Sequence, residues 1–325
     1  MLYRGIGARI AATGSYVPEK VVTNNHLTGA WDVARKLQRL LGAVERRAVK
    51  EDEACSDLIA EAAQRVLTTA HLSALELDRI IVSATPGDFL EPPTASVVQH
   101  KLQARCPAID IKMSCVGWMA GLDYALRCIA TGEKKILVLA GTVVSRGDAF
   151  HTLMHRAIFG DGAGGVLIEA DEHQQFLAGG LWTDGQYYTM INQPHPGSVH
   201  PEAIPIGYKG KFYMGPRKVF FETLRHELAP CVEGVLKESG LSKDDIDVAI
   251  IHQPSRKLFE AAVKSLKIPA EKSIQDFHRY GNTISAELPI ALDENIRNGR
   301  IQRGNRLLLV TFGAGFNAGA MVLEY

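Results

Sequence analysis

The chain has 325 residues, 46% hydrophobic and 22% charged, ordinary globular usage that excludes a disordered, collagenous or coiled-coil polypeptide. Thirty-six basic residues balance thirty-six acidic ones, so no global field draws nucleic acid or an anionic membrane, and any anionic partner has to be met by a local patch. No run approaches the roughly 18 apolar residues of a membrane span, the first twenty residues lack the apolar core of a signal peptide, and the five scattered cysteines contain no C-x-x-C pair. A cytoplasmic protein without a disulfide framework or a metal site is expected.

Taken in chain order, hydrophobic periodicity predicts a helix over 56–70, a buried strand over 79–84, a helix over 94–102, a strand over 108–112 and an apolar helix over 117–130. Further helices follow over 219–239, 256–266 and 285–298, with a strand over 248–252. Helices alternating with short Val/Ile/Leu-rich strands are the pattern of α/β layers whose strands are buried on both faces. The stretch 185–216, rich in Gly and Pro, reads as a long functional loop or as a plain surface excursion.

The second part of the chain repeats the first. HLSALELDRIIVSATPG, from His71, matches GLSKDDIDVAIIHQPS, from Gly240, with Leu72 on Leu241 at an offset of 169 residues. A glycine-closed helix and apolar strand around Gly132 match another pair around Gly299, at an offset of 167. Two anchors with nearly equal offsets imply two homologous halves, 1–170 and 171–325.

Cys115 lies in AIDIKMSCVGWMAGLDYAL, where strand gives way to helix. A thiolate at a helix N-terminus is stabilised by unpaired backbone N–H groups and the helix dipole, which favours a nucleophile, although a buried cysteine serves equally as a small hydrophobe. Adding the offset of 167 to Cys115 gives Asn282, in FHRYGNTISAELPIAL, so a pseudo-twofold relation would bring Cys115 and Asn282 to one site. His252 ends a strand in AIIHQPSRK, and open α/β sheets build their sites at such ends. IFGDGAGGVLIE precedes a strand instead of joining strand to helix, which argues against a phosphate cradle and for tight packing beneath the site.

With these motifs, and with ATGSYVPEKVVTN, LLGAVERRAV, PTASVVQHKL and TFGAGFNAGAMVL, the chain resembles, nearly end to end, the β-ketoacyl-acyl-carrier-protein synthase III branch of the thiolase superfamily. The resemblance implies a thiolase-like, five-layered α/β/α/β/α fold of two duplicated halves and a homodimer. It implies no permanently bound cofactor, with acyl-coenzyme A or acyl-carrier-protein thioesters as substrates. Cys115 matches the acyl-accepting nucleophile, His252 the catalytic histidine and Asn282 the catalytic asparagine. The backbone N–H groups of Cys115 and Ala314 match the oxyanion hole. Acyl transfer to Cys115 would split one reaction into two easier steps. A neutral His252 and the Asn282 amide would then hydrogen-bond a malonyl thioester as it decarboxylates and condenses.

Arg256 and Lys257 correspond to a segment that meets the phosphopantetheine arm or the carrier protein, and read on their own they are an exposed helix face. Glu91 sits in a loop comparable to one that supplies an extra base in head-to-head condensation. Two departures stand out. HQPS places Ser255 where the family carries asparagine, and the adenine clamp is altered, because Trp31, Arg146 and Arg156 all stand out of register with its tryptophan and arginine. Three functions follow: decarboxylative condensation, acyl transfer to an alcohol or amine from the same acyl-Cys115, and a non-catalytic subunit of a heteromeric synthase.

Overall fold

The structure, a computed structural model, describes residues 2–146, 152–192 and 213–325. Two five-stranded sheets organise it. The first runs in the order Ala8–Tyr16, Gly162–Ala170, Lys135–Thr142, Arg79–Thr85, Ala108–Asp110, with the last two pairings parallel and the others antiparallel. The second runs Leu2–Ile6, Phe176–Thr183, Asn317–Glu324, Arg306–Gly313, Val248–Ile251, parallel only in its last pairing. Beyond Val248–Ile251, Ala249 makes a parallel bridge to Ser273, where the first sheet has Ala108–Asp110. Leu2–Ile6 is thus an added edge, contributed to the second sheet by the N-terminus.

Five layers result. Helices Gly117–Ala130 and Glu287–Arg297 lie between the sheets, sharing one apolar core with strands of both. Cys55–Ala70 and Thr94–Lys101 cover the outer face of the first sheet, and Ala229–Ser239 and Arg256–Leu266 that of the second. The strands carry Val, Ile and Leu consecutively because neither face meets water, and each such buried side chain contributes about 1.5–3 kcal/mol. The glycine-rich strand Gly162–Ala170 follows from the same packing. A Cβ on Gly164 would stand 3.0 Å from the backbone of Pro289 and Ile290, so glycine is what lets the inner helix lie on this strand.

The predicted helices 117–130 and 256–266 coincide with the observed ones. The predicted helix 219–239 is one helical run interrupted by a π turn, Leu224–Leu228, just ahead of Pro230, which has no N–H to give the preceding turn. The helix Trp31–Leu41 was not predicted; it buries Ala34, Leu37 and Leu41 but has no side-chain cap. In the stretch 185–216, Gly185–Tyr187 is a 3-10 turn and Ile191–Asn192 pairs with Tyr213–Met214, while 193–212 lie outside the described residues. Among the described residues no helix is long and apolar enough to cross a membrane.

Candidate active site

After the strand Ala108–Asp110, a 3-10 turn, Ser114–Val116, leads into the helix Gly117–Ala130. It opens with Ser114 at φ 49°, a left-handed conformation that costs a non-glycine residue about 1–2 kcal/mol. The bonds of this turn run from Val116 N–H to Met113 O and from Gly117 N–H to Ser114 O, so they do not consume the N–H of Cys115. The Cys115 carbonyl accepts from Thr311 Oγ1 at 2.9 Å, and its side chain is only partly buried. Gly313 lies directly against it. A Cβ there would sit 2.9 Å from Cys115 Cβ and 3.2 Å from Sγ, so glycine is what lets the end of Arg306–Gly313 pass and carry Ala314 beside the thiol.

His252 follows the last residue of Val248–Ile251, and its N–H extends the ladder to Val310 O at 2.9 Å. Its ring is 0% exposed and stands edge-on to Phe312, with centroids 5.6 Å apart. Nδ1 is 2.8 Å from Glu287 Oε2, and Cys115 is the ring's other polar neighbour. Burial pushes the imidazole towards neutrality, but the Glu287 carboxylate and then Cys115 outweigh it and hold its pKa well above the ordinary histidine value. These neighbours therefore favour the protonated ring more than burial alone would allow. Contact is close but not well aligned, because Nδ1, Nε2 and Glu287 Oε2 are all buried without a hydrogen bond of good geometry.

Glu287, which the sequence reading did not single out, is the carboxylate nearest His252. It is the first residue of Glu287–Arg297, is buried, and accepts from Gln253 N–H at 2.7 Å through Oε1. Its signal was present in SAELPIAL, a single carboxylate inside an apolar run.

Asn282 is held by its backbone, which donates to Ile158 O at 2.8 Å and accepts from Gly160 N–H at 3.2 Å. The preceding Gly281 has φ 64°, and a Cβ on it would collide with Ile158 O. Asn282 Oδ1 accepts from Ile284 N–H at 2.7 Å, which fixes the amide and leaves its NH2 as the donor. Ile284, Phe159 and Val144 then form a small apolar cluster against which Cys115 packs. Locally, however, the counterpart of the turn Ser114–Val116 is Ile284–Ala286, an offset of 170, so Ser285 matches Cys115 and Asn282 precedes that position by three residues.

A pocket of about 140 Å³, whose wall includes Leu41, Ile158, Phe159, Phe220, Pro254 and Lys257, shares Phe159 with that cluster. Lys257 thus faces a cavity adjoining the site. Arg256 does not; its guanidinium donates to Arg39 O and lies 3.7 Å from Glu260. The Ser255 departure has a local reason, since its hydroxyl caps Arg256–Leu266 through Leu258 N–H at 3.4 Å. Arg146 is engaged with Glu51 O, and Trp31 is exposed at the start of its helix. Glu91 lies in a surface loop with Phe89 and Leu90, which are 61% and 78% exposed, and no contact joins it to Cys115.

The sequence pattern described as 3-oxoacyl-[acyl-carrier-protein (ACP)] synthase III matches residues 109–185, and that of the C-terminal part of the same enzyme matches 236–325. A β-ketoacyl-[acyl-carrier-protein] synthase III from Xanthomonas axonopodis pv. citri is 34% identical over 329 residues, covering 98% of this chain and 99% of the relative. One from Xylella fastidiosa is 35% identical over 328 residues with the same coverage. The crystal structure of the Thermus thermophilus enzyme of that name superposes with a TM-score of 0.88 at 30% identity, over 97% of this chain and 98% of that one.

Proposed function

The chain belongs to the 3-oxoacyl-[acyl-carrier-protein] synthase III family, and on that premise we propose that it is a condensing acyltransferase whose nucleophile is Cys115. The observation that supports the assignment is that one partly buried thiol is met by His252, from a strand end, and by Ile284, whose N–H holds the Asn282 amide, from the opposing helix entry. Cys115 Sγ attacks the carbonyl of an acyl-carrier-protein or acyl-coenzyme A thioester; the new S–C bond forms as the donor thiol leaves. The oxyanion formed at each carbonyl is met by the N–H groups of Cys115 and Ala314. A malonyl-type thioester then loses carbon dioxide, and His252 Nε2–H and Asn282 Nδ2–H hydrogen-bond the enolate oxygen. The enolate carbon attacks the acyl-Cys115 carbonyl, forming a carbon–carbon bond and releasing the Cys115 thiolate.

The same reading treats 1–170 and 171–325 as duplicated halves, supported by the matching strand orders of the two sheets. It makes the protein a cytoplasmic homodimer, supported by the exposed apolar pair Phe89 and Leu90, which suits burial against a second copy. Glu91, between that pair and the helix Thr94–Lys101, would act only across such an interface. Lys257, in the pocket wall, is the better placed of the two basic residues to meet the phosphopantetheine arm of the donor.

Intact-protein mass spectrometry tests the assignment. Wild type incubated with a panel of acyl-carrier-protein and acyl-coenzyme A donors should gain one acyl group, the Cys115→Ala variant none, and the preferred donor reports carrier and chain length. Release of carbon dioxide from a malonyl thioester by the acylated enzyme distinguishes condensation from transfer to an alcohol or amine. Absence of any adduct in the wild type would overturn the catalytic reading.

A further inference from the structure

We propose that Glu287 is a positioning residue that completes a Cys115–His252–Glu287 chain, holding His252 as an imidazolium with one N–H towards Glu287 and the other towards a Cys115 thiolate. The inference rests on the reading of Cys115 as nucleophile and adds the origin of its reactivity. Nδ1 lies 2.8 Å from Glu287 Oε2, close but not aligned as a hydrogen bond, and because a carboxylate can only accept, the tautomer that this contact favours carries its proton on Nδ1. Among the described residues Nε2 has no hydrogen-bond partner of its own, and Cys115 is the next group that acts on the ring. If neutral, the ring in this tautomer would present Nε2 as a bare acceptor and have nothing to donate to an enolate.

Burial decides the charge. A fully buried imidazole alone would be neutral, because removal from water penalises the cation. Here two polar groups surround it: Glu287 from the inner helix and Cys115 from the opposing turn, with Phe312 adding only an apolar edge from the strand Arg306–Gly313. Behind Glu287, Asp276 is itself pushed up to about 6, by burial and by Glu294, so it gives up its negative charge only as pH falls through that value. Glu287 is also anchored independently of His252, through Gln253 N–H at 2.7 Å and its place at the start of a helix, where a negative charge is favoured. A fixed anion that is not free to turn away is what a charged ring needs.

In acylation, the Cys115 sulfur forms its bond to the acyl carbon, the donor C–S bond breaks, and the departing thiolate takes the Nε2 proton. Before the second step the ring regains a proton from solvent, which Glu287 favours, and Nε2–H becomes a charge-assisted donor to the enolate oxygen. Substitution by glutamine keeps shape and can still accept from Gln253 N–H, but it turns an NH2 group towards Nδ1 and removes the charge.

The rate of Cys115 alkylation by iodoacetamide, followed by intact mass from pH 5 to 10 with Cys115→Ala as control, tests this without any acyl donor. Wild type should react at a nearly constant rate through neutral pH. Glu287→Gln should be at least about tenfold slower at pH 6 and climb with pH as an ordinary thiol does, while Glu287→Asp should restore the level profile at a lower rate. A Glu287→Gln profile as flat as that of wild type would overturn the proposal while leaving Cys115 as nucleophile. Alkylation of Cys115→Ala at the wild-type rate would instead remove the reading beneath it. Should Glu287→Gln fail to fold by circular dichroism, the 15N shifts of His252 in the wild type decide: two protonated ring nitrogens at pH 7.5 support the proposal, and a neutral ring overturns it.

Discussion

The turn Ser114–Val116 leads into Gly117–Ala130, and the turn Ile284–Ala286 leads into Glu287–Arg297; each opens with a non-glycine residue at positive φ, 49° at Ser114 and 55° at Ile284. Ser83 ties them together. Its hydroxyl is 3.3 Å from Ser285 Oγ, and it fills the space that a Cβ on Gly117 would need. The frame is common, and the chemistry differs at two positions. The first turn has cysteine then glycine, with the thiol partly open; the second has Ser285, fully buried, then Glu287 beside His252. A strained turn at a helix entry is therefore a common platform, and the side chains placed on it differ, a partly open thiol on one and a buried carboxylate beside a histidine on the other.

The largest test of that division is to exchange the nucleophile. Cys115→Ser should lower the rate of acyl-enzyme formation by about 10³-fold or more, whereas Ser285→Ala should leave it within about twofold, as measured by quenched mass spectrometry. Comparable losses in both variants would mean that the turns are not specialised. Next comes Asn282→Ala, which should retain the acyl adduct on Cys115 and reduce carbon dioxide release about 10²-fold, in line with loss of one donor to an oxyanion. Parallel loss of both steps would move Asn282 from chemistry to scaffolding. Smaller again, Gly117→Ala forces a Cβ into Ser83, which both turns share, and should lower unfolding free energy by about 1–3 kcal/mol in urea titrations.

The sequence pointed to Cys115 and His252 as candidates because each sits at the end of an element with a clear period: an apolar helix beginning at Gly117 and a four-residue apolar strand ending at Ile251. Asn282 was reached by an offset of 167, yet the turns themselves are 170 apart. The discrepancy is the length of the inner helices, 14 residues from Gly117 and 11 from Glu287, which shortens the offset by three between helix start and the closing glycine. Glu287 escaped notice because a glutamate in the first turn of a helix is ordinary on a surface, and only the layering shows that the start of this helix is buried. Likewise the helix Trp31–Leu41 has no side-chain cap to mark its start. That Lys257 faces a pocket while Arg256 reaches across to Arg39 depends on the packing of two distant helices, which no local pattern encodes.

The smallest effect expected is in stability, and it separates the two turns by counting protons. The raised pKa of His252 means that the folded ring keeps a proton which the unfolded ring releases near pH 6.5. Such a contribution is complete below that value and is lost as pH rises through the higher folded one. In the wild type both Glu287 and Cys115 act on the ring. The Cys115→Ala variant leaves Glu287 alone beside it. Its unfolding free energy should then fall with rising pH, by at most about 1.4 kcal/mol per unit, and Cys115→Ala combined with Glu287→Gln should abolish that slope. A level profile in Cys115→Ala alone would mean that Glu287 does not hold the charge on the ring, and the second turn would lose its distinction from the first.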